Sequence, residues 1–203
     1  MPRLPSPERR ATILHAARAL FTENAFTQTT MADIAAAAEM GVGSLYVYFP
    51  TKEAIAVTLV DAYFAELFET ILPPLRERHG VDAIAGAISG GLECASRNQD
   101  VLGLCRLIAP SHTNQANIQL TQAIEQAISQ QMRDGYLRQY DPTMITQWIN
   151  GQIEWAITRC FFDKRGDISA YQGLLVEVIG RALAASVASS HDVEEVGEAT
   201  SNG

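Results

Sequence analysis

The stretch GVGSLYVYFPTK, residues 41–52, decides how the first quarter of the chain folds. Its centre holds only strand-favouring or large apolar residues, so by composition alone it would be a short buried strand between two turns. A helix capped by Thr30 is predicted before it, however, and a helix capped by Thr51 after it. Because only about two helical turns fit between these helices, the stretch is predicted to be a short helix whose Leu45 and Phe49 face the core.

The rest of the chain is also predicted to be helical, since no segment alternates polar and apolar residues as a strand does. Ser6-Pro7-Glu8 is typical of a helix start. The helix after Thr51 should end at Pro73-Pro74, because proline lacks the backbone donor that a helix needs. Five further helices are predicted over about 81–96, 101–109, 114–133, 142–160 and 167–188. The expected fold class is therefore all-α, with an N-terminal three-helix unit, a larger helical unit and about nine helices in total.

The composition is that of a chain with a substantial core, since 47% of its 203 residues are hydrophobic. No run of 18 apolar residues is present, so no membrane-spanning helix is predicted, and the first ten residues lack the apolar segment of a signal peptide. A cytoplasmic location is therefore expected. The three widely spaced cysteines, Cys94, Cys105 and Cys160, are expected to be reduced thiols and not a disulfide framework.

Charge is distributed unevenly along the chain. The net charge of −8 is unusual for a protein that binds nucleic acid, but residues 1–53 hold five basic and five acidic residues. All of the excess negative charge therefore lies in residues 54–203. A neutral segment can still bind DNA where its cations are clustered, so the overall charge does not exclude a nucleic-acid partner.

Three short helices in about 50 residues, with few residues between the second and the third, predict a helix-turn-helix. Small residues at the start of the third helix would let its backbone approach DNA, and a helix N-terminus favours phosphate. Two tyrosine hydroxyls and a lysine ammonium would then bind phosphate oxygens as positioning contacts. The small residues are Gly41, Gly43 and Ser44, and the polar groups belong to Tyr46, Tyr48 and Lys52.

Several motifs follow one another in this segment without gaps. They are Ala16-Ala17, Leu20-Phe21, Thr29-Thr30, Asp33-Ile34-Ala35, Gly43-Ser44-Leu45-Tyr46, Tyr48-Phe49-Pro50 and Thr51-Lys52-Glu53. In this order they resemble the DNA-binding domain of the TetR family of bacterial transcriptional regulators, over about a quarter of the chain. The resemblance implies a DNA-binding domain at 7–68, with its helix-turn-helix at about 30–50, and a ligand-binding and dimerisation domain at 69–188. Residues 189–203 are acidic and are predicted to be a disordered tail.

The resemblance also implies which residues contact double-stranded DNA. They are Thr30, Gly41, Val42, Gly43, Ser44, Tyr46, Val47, Tyr48 and Lys52. None of them is an Arg, Asn or Gln, the residues that read a base through two hydrogen bonds. Sequence preference should therefore depend partly on DNA shape, with Val42 or Val47 touching a thymine methyl. The alternative roles are simple packing for the two tyrosines and an idle surface charge for Lys52.

One residue departs from the family pattern in the turn. Glu39 occupies the position where the family usually has the glycine of the helix-turn-helix turn. If this residue has a positive φ, glutamate costs about 1 kcal/mol relative to glycine. Gly41, two residues later, is the candidate to absorb this strain.

The last two helices are expected to pair with their copies in a homodimer. The last one carries an apolar stripe made of Leu174, Leu175, Val178, Ile179, Ala182 and Leu183. A twofold dimer would place two DNA-binding domains about 34 Å apart on a near-palindromic operator. The alternative is that the stripe is only the core face of one chain.

A pocket for a small-molecule effector is implied by the resemblance. Candidate lining residues are Cys105, His112, Met132, Tyr136, Trp148, Trp155, Phe161 and Phe162. Aromatic residues and methionine at helical spacing belong more often to a core than to a pocket, so each candidate has that alternative role. Because most of these residues are apolar, an apolar or aromatic effector is expected.

The sequence offers little support for catalysis or metal binding. Its four histidines are scattered, and it contains neither a Gly-rich phosphate loop nor a nucleophile elbow. No cofactor, metal, membrane partner or enzymatic activity is expected. The function predicted is a ligand-responsive, dimeric repressor. The rival is an all-helical small-molecule binding protein or enzyme whose DNA-binding domain is non-functional.

Overall fold

The computed structural model describes residues 6–23, 25–107 and 110–185, and within these ranges the chain is helical without strands. The helices are α1 Pro7–Glu23, α2 Ala25–Gln28, α3 Met31–Ala37, α4 Val42–Tyr48, α5 Lys52–Glu77, α6 Gly80–Arg97, α7 Gln99–Leu107, α8 Pro110–Arg133, α9 Pro142–Ile157 and α10 Ile168–Leu183. A π-helical segment, Thr158–Phe162, extends α9. The predicted all-α class is confirmed, with the four-residue α2 as an addition. The predicted tail, 189–203, lies outside the described residues.

Helices α1 to α4 and the first turns of α5 form the N-terminal unit, called the head below. Its centre consists of fully buried apolar side chains spaced as one face of each helix requires. They include Ile13, Ala17, Ile34, Leu45 and Ile55. The same cluster continues into the C-terminal half of α6 and into α7, so the head and the rest of the chain share a core.

Helix α5 does not end at Pro73-Pro74, and that prediction is wrong. It continues to Glu77 and keeps both prolines inside the helix. Proline removes a backbone donor, but here only within the last two turns, and the cost is offset by the burial of Leu72 and Leu75, which are 5% and 3% exposed. Helix α5 is thus long enough to belong both to the head and to the C-terminal unit, called the body below.

Helix α6 packs closely against the C-terminal part of α5 through two glycines one turn apart. A Cβ built on Gly86 would lie 2.9 Å from Pro74 Cβ, and one built on Gly90 would lie 2.8 Å from Thr70 Cγ2. Neither position has room for a side chain, which lets the two helix backbones approach. This contact fixes how α5 sits on the body.

The body has a second core, formed by α6, α8, α9, α10 and the end of α5. Helix α10 ends at Leu183, earlier than the predicted residue 188. The Arg138 N–H donates to the Leu183 carbonyl at 2.9 Å, and Ala184 continues in an extended conformation that pairs with Leu137. Because Ala184 pairs with Leu137, the chain leaves the helical conformation at this point.

No helix in the described part of the chain is long and apolar enough to cross a membrane.

Candidate nucleic-acid interface and internal cavity

The turn between α3 and α4 is built around Glu39. Its φ is 53°, so the predicted condition of a positive φ is met. Its N–H donates to the Ala36 carbonyl at 3.1 Å, and the Met40 N–H donates to the Ala35 carbonyl at 2.9 Å, the pattern of a Schellman motif. Gly41 has an ordinary φ of −71° as the N-cap of α4. The expectation that Gly41 absorbs the strain is therefore wrong.

Helix α4 separates its residues cleanly by face. Leu45 and Phe49 are 0% and 3% exposed, which confirms that they face the core. The opposite face carries Val42, Tyr46 and Val47, which are 39%, 52% and 65% exposed. Gly41, Gly43 and Ser44 are exposed beside them. The strand-like composition is thus distributed between a buried and an open side of a seven-residue helix.

Two of the predicted phosphate-binding groups already have partners within the head. The Tyr48 hydroxyl accepts a hydrogen bond from the Ser6 N–H at 3.1 Å. The Lys52 ammonium donates to the carbonyls of Phe26 and Thr29 at 2.8 and 2.9 Å, and it lies 4.7 Å from the centre of the Phe26 ring. These contacts hold α2 and the residues between α2 and α3 against the first turn of α5. A phosphate contact by either side chain stays a prediction.

Thr30 caps α3 through a reciprocal pair with Asp33. The Asp33 N–H donates to Thr30 Oγ1 at 3.2 Å, and the Thr30 N–H donates to Asp33 Oδ2 at 2.8 Å. The cap at Thr30 that the sequence predicted is confirmed, and the structure shows it as a complete capping box with Asp33. Hydrogen bonds from the Thr30 hydroxyl and N–H lower the pKa of the Asp33 carboxyl. The cap is therefore intact at neutral pH, and DNA contact by Thr30 stays a prediction.

The body contains a cavity of about 730 Å³ between α5, α7, α8 and α9. Helix α5 supplies one wall through Tyr63, Phe64, Leu67 and Ile71. A polar strip faces it from α8 and α9, formed by Asn117, Thr121, Asn150 and Glu154. Asn150 Nδ2 donates to Thr121 Oγ1 at 3.4 Å, which joins the two halves of the strip. The cavity can accommodate a molecule with an apolar body and hydrogen-bonding groups along one edge.

Two of the eight predicted pocket residues, Cys105 and Phe162, line this cavity. Burial raises the pKa of the Cys105 thiol to about 11, so this group is neutral at physiological pH. The structure places the other described candidates elsewhere. Met132 belongs to the second core, Phe161 packs against the core shared with the head, and Tyr136, Trp148 and Trp155 are exposed. The side chain of His112 lies outside the described residues.

The π-helical segment after α9 shapes one end of the cavity. Phe161 and Phe162 of this segment both pack against the shared core, and Phe162 also lines the cavity. Arg106 from α7 lies over the Phe162 ring at 3.7 Å from its centre. Its Nη2 also donates to Thr158 Oγ1 at 2.7 Å. Helix α7 and the π-helical segment are thus connected at the cavity.

Most of the residues that line the cavity were not predicted from the sequence. The four α5 residues recur at spacings of one, three and four, the pattern of one helix face, and this stripe extends beyond the part of α5 that packs in the head. This apolar stripe on α5 is the sequence feature from which the cavity wall could have been predicted. The polar strip offered none, because Asn117, Thr121, Asn150 and Glu154 look like solvated surface residues until α8 and α9 are placed together.

An apolar face on α9 and α10 is largely exposed, and within it the ring of Trp155 makes an edge contact with the ring of Tyr171. Its members are Met144, Trp148, Trp155, Leu174 and Val178, which are 43% to 72% exposed. The predicted stripe on α10 is divided differently. Ile179 and Leu183 are fully buried in the core of their own chain, Leu175 is partly buried against it, and Ala182 is half-buried. Only Leu174 and Val178 of the predicted set belong to the open face.

The head, with its Schellman turn and its exposed α4 face, has the architecture of a helix-turn-helix domain. Residues 13–59 match the family model described as bacterial regulatory proteins, tetR family. This match covers about a quarter of the chain, and it confirms the resemblance that the order of the sequence motifs indicated.

Known proteins resemble the chain at two levels. "Uncharacterized HTH-type transcriptional regulator YuxN" of Bacillus subtilis (strain 168) is 31% identical over 65 residues, 32% of this chain and 22% of that protein. The aligned part thus spans about a fifth of that relative's length. Two solved structures establish the fold over most of the chain. The fatty acid degradation regulator FadR of Bacillus halodurans has a TM-score of 0.74 at 18% identity, covering 87% of this chain and 96% of its own. FadR of Bacillus subtilis, in complex with stearoyl-CoA, has a TM-score of 0.73 at 19% identity, covering 85% and 98%.

Proposed function

We propose that the chain is a dimeric transcriptional repressor that binds a near-palindromic DNA operator and is released by a small-molecule effector. The observation that carries the proposal is the open face of α4. The Schellman turn and the buried side chains of Leu45 and Phe49 hold this helix in place. Val42, Tyr46 and Val47, on its opposite face, are exposed and have no packing role. Exposed side chains of this size on a rigid helix are suited to contact with DNA.

The chemistry of this face supports positioning on the DNA backbone more than base reading. Tyr46 offers a hydroxyl to a phosphate oxygen, and the two valines offer apolar contacts to thymine methyl groups. The N-terminus of α4 has no side-chain cap, so its free N–H groups add to the attraction for phosphate. We expect specificity to come partly from DNA shape.

The cavity supports an effector with a large apolar part. Nine of its lining residues are Leu, Ile or Phe, and the charged ones are a single arginine and a single glutamate. The complex of Bacillus subtilis FadR with stearoyl-CoA makes a long acyl chain one candidate for the apolar wall. An acyl-CoA would also bring several phosphate charges, for which Arg106 is the cation at the cavity.

The open face on α9 and α10 supports the dimer. Two copies of this face would bury Trp148, Trp155 and Leu174 in a four-helix arrangement, and aromatic residues are frequent at the centre of stable interfaces. The twofold axis would then place both α4 helices on the same side of the DNA, one helical turn apart.

The variant Tyr46→Phe tests the DNA-binding role by removing one exposed hydroxyl. We expect about a threefold to tenfold loss of affinity for DNA from the upstream region of its own gene, the worth of one hydrogen bond. Fluorescence anisotropy across a salt series should show wild-type affinity falling steeply with salt, because phosphate contacts release counterions. Lys52→Ala is a poorer choice, since it would also break the contacts with Phe26 and Thr29.

Tyr136→Phe is the matched control, since Tyr136 is exposed on the body and is 43% accessible. Equal affinities of wild type, Tyr46→Phe and Tyr136→Phe would contradict the assignment of α4. The absence of any DNA binding by the wild type would instead favour the rival function, a helical binding protein or enzyme. A thermal-shift series with stearoyl-CoA, stearic acid and a neutral aromatic compound would then show which chemistry the cavity accepts.

A further inference from the structure

Arg18 of α1 does not point towards the DNA-facing side of the head but binds the body. Its Nε donates to Asp100 Oδ2, and its Nη2 donates to Asp100 Oδ1 at 2.8 Å. The same Nη2 also lies 3.1 Å from Asn98 Oδ1 and 3.3 Å from the Arg97 carbonyl. A guanidinium that binds a carboxylate with two parallel bonds holds it in one orientation.

The acceptors of Arg18 are themselves held in place by α5. Asn98 Nδ2 donates to Glu66 Oε2 at 3.0 Å and to the Cys94 carbonyl at 2.9 Å. Arg97 Nη2 forms an ion pair with Glu66 Oε1 at 2.9 Å. Asn98 is only 5% exposed, so this junction of α1, α5, α6 and α7 is anchored in the interior.

Helix α7 connects this junction to the cavity. Asp100 lies in its first turn, and Leu102, Cys105 and Arg106 line the cavity from the following turns. The helix has only nine residues, so a shift at one end is carried to the other. The head therefore contacts, through Arg18, the same short helix that an effector would contact.

We propose that Arg18 is a positioning residue, and that its ion pair with Asp100 fixes the orientation of the head on the body and links that orientation to α7. This inference rests on the proposed function. The alternative role for Arg18 is a direct contact with a DNA phosphate, as expected of an arginine in a DNA-binding domain. The two assignments predict opposite effects when Asp100 loses its charge.

The decisive variant is Asp100→Asn, which keeps an acceptor oxygen and so preserves the local packing. If the ion pair positions the head, operator affinity falls roughly threefold to tenfold, because a smaller fraction of molecules has the competent geometry. If Arg18 is a phosphate contact, the same variant releases its guanidinium and affinity rises. Asp134→Asn, which removes one exposed carboxylate at the far end of α8, controls for the change in net charge.

Arg18→Met provides a second, independent measurement. The slope of log affinity against log salt should equal that of the wild type, because no phosphate contact is lost. A phosphate contact would lower this slope by about one. A lower slope, or unchanged or higher affinity of Asp100→Asn, overturns the proposal while leaving the DNA-binding function intact.

A measurement without DNA separates failure of this inference from failure of the proposed function. Nitroxide labels on genetically encoded residues at positions 28 and 126, both exposed, report the distance between α2 and α8. The labelled chain is diluted with unlabelled chain so that each molecule gives one distance. We expect a broader distribution in Asp100→Asn and Arg18→Met than in the wild type and Asp134→Asn. Identical distributions overturn the positioning role even if the wild type binds no DNA.

Discussion

Glu39 adopts a backbone conformation that is unfavourable for a residue with a Cβ atom. The Schellman turn requires a left-handed residue between α3 and α4, and the chain supplies glutamate with a φ of 53°. Its Cβ is crowded in this conformation, while the hydrogen bonds of Glu39 and Met40 and the packing of Met40 against the head core hold the turn. The strain is local, because Gly41 has an ordinary conformation.

Replacing Glu39 with glycine should therefore stabilise the protein. We expect Glu39→Gly to raise the free energy of unfolding by about 0.5–1 kcal/mol, seen as a Tm increase of about 1–4 °C in thermal denaturation. Ala36→Gly, three residues earlier within α3, should instead lower stability by about 1 kcal/mol. Destabilisation by both substitutions would show that the left-handed conformation carries no strain.

At the scale of elements, helix ends could be predicted from the sequence where the capping residues themselves determine them. The length of α4 followed from the caps at Thr30 and Thr51, both of which the structure confirms. The end of α5 was predicted wrongly because Pro73 and Pro74 are a local signal that packing overrides. What keeps the helix intact there is the buried contact with α6, which lies more than ten residues further along the chain.

The cavity was only partly predictable for a related reason. Four helices build it, and a face of α8 or α9 becomes a wall only after its neighbours are placed. Trp148 and Trp155 had the same helical spacing and the same apolar character as a pocket residue, but the structure exposes both. The sequence identifies apolar residues, and the relative rotation of the helices decides whether they form core, pocket or interface.

The contact between α5 and α6 makes a prediction about one glycine. In Gly90→Ala, the new Cβ would lie 2.8 Å from Thr70 Cγ2 and 3.3 Å from the Thr70 carbonyl oxygen. Thr70 cannot easily rotate, because its hydroxyl donates to the Glu66 carbonyl at 2.7 Å. We expect a loss of about 1–3 kcal/mol in chemical denaturation.

Gly103→Ala is the matched control for this prediction, since nothing lies within 4 Å of its Cβ position in α7. It should raise stability by about 0.5–1 kcal/mol, because alanine favours the helix more than glycine does. Equal effects at the two positions would show that the helix contact tolerates a methyl group.

At the scale of the whole molecule, the open apolar face on α9 and α10 determines the proposed assembly. We expect Leu174→Arg to raise the dimer dissociation constant by at least about tenfold, because it would bury an unpaired charge at the interface. Sedimentation velocity over a concentration series measures this change. Operator affinity should fall in parallel, since one head binds only one half-site.

Gln126→Arg introduces the same charge on an exposed position of α8 and should leave the assembly unchanged. A wild type that sediments as a monomer, or a Leu174→Arg variant that remains as dimeric as the wild type, would contradict the assigned interface.

The continuity of α5 has a mechanical consequence. At 26 residues it is a rod of roughly 39 Å that begins under the head and ends in the body. Tilting such a rod by about 5° around its body end displaces its other end by about 3 Å, nearly the rise of one base pair along the DNA axis. The same tilt displaces the α5 residues beside the cavity by only about 1–2 Å, so a small rearrangement there would be magnified into a mismatch with an entire base step. In the proposed repressor, the length of this helix would convert a small change at the cavity into a large displacement of the head.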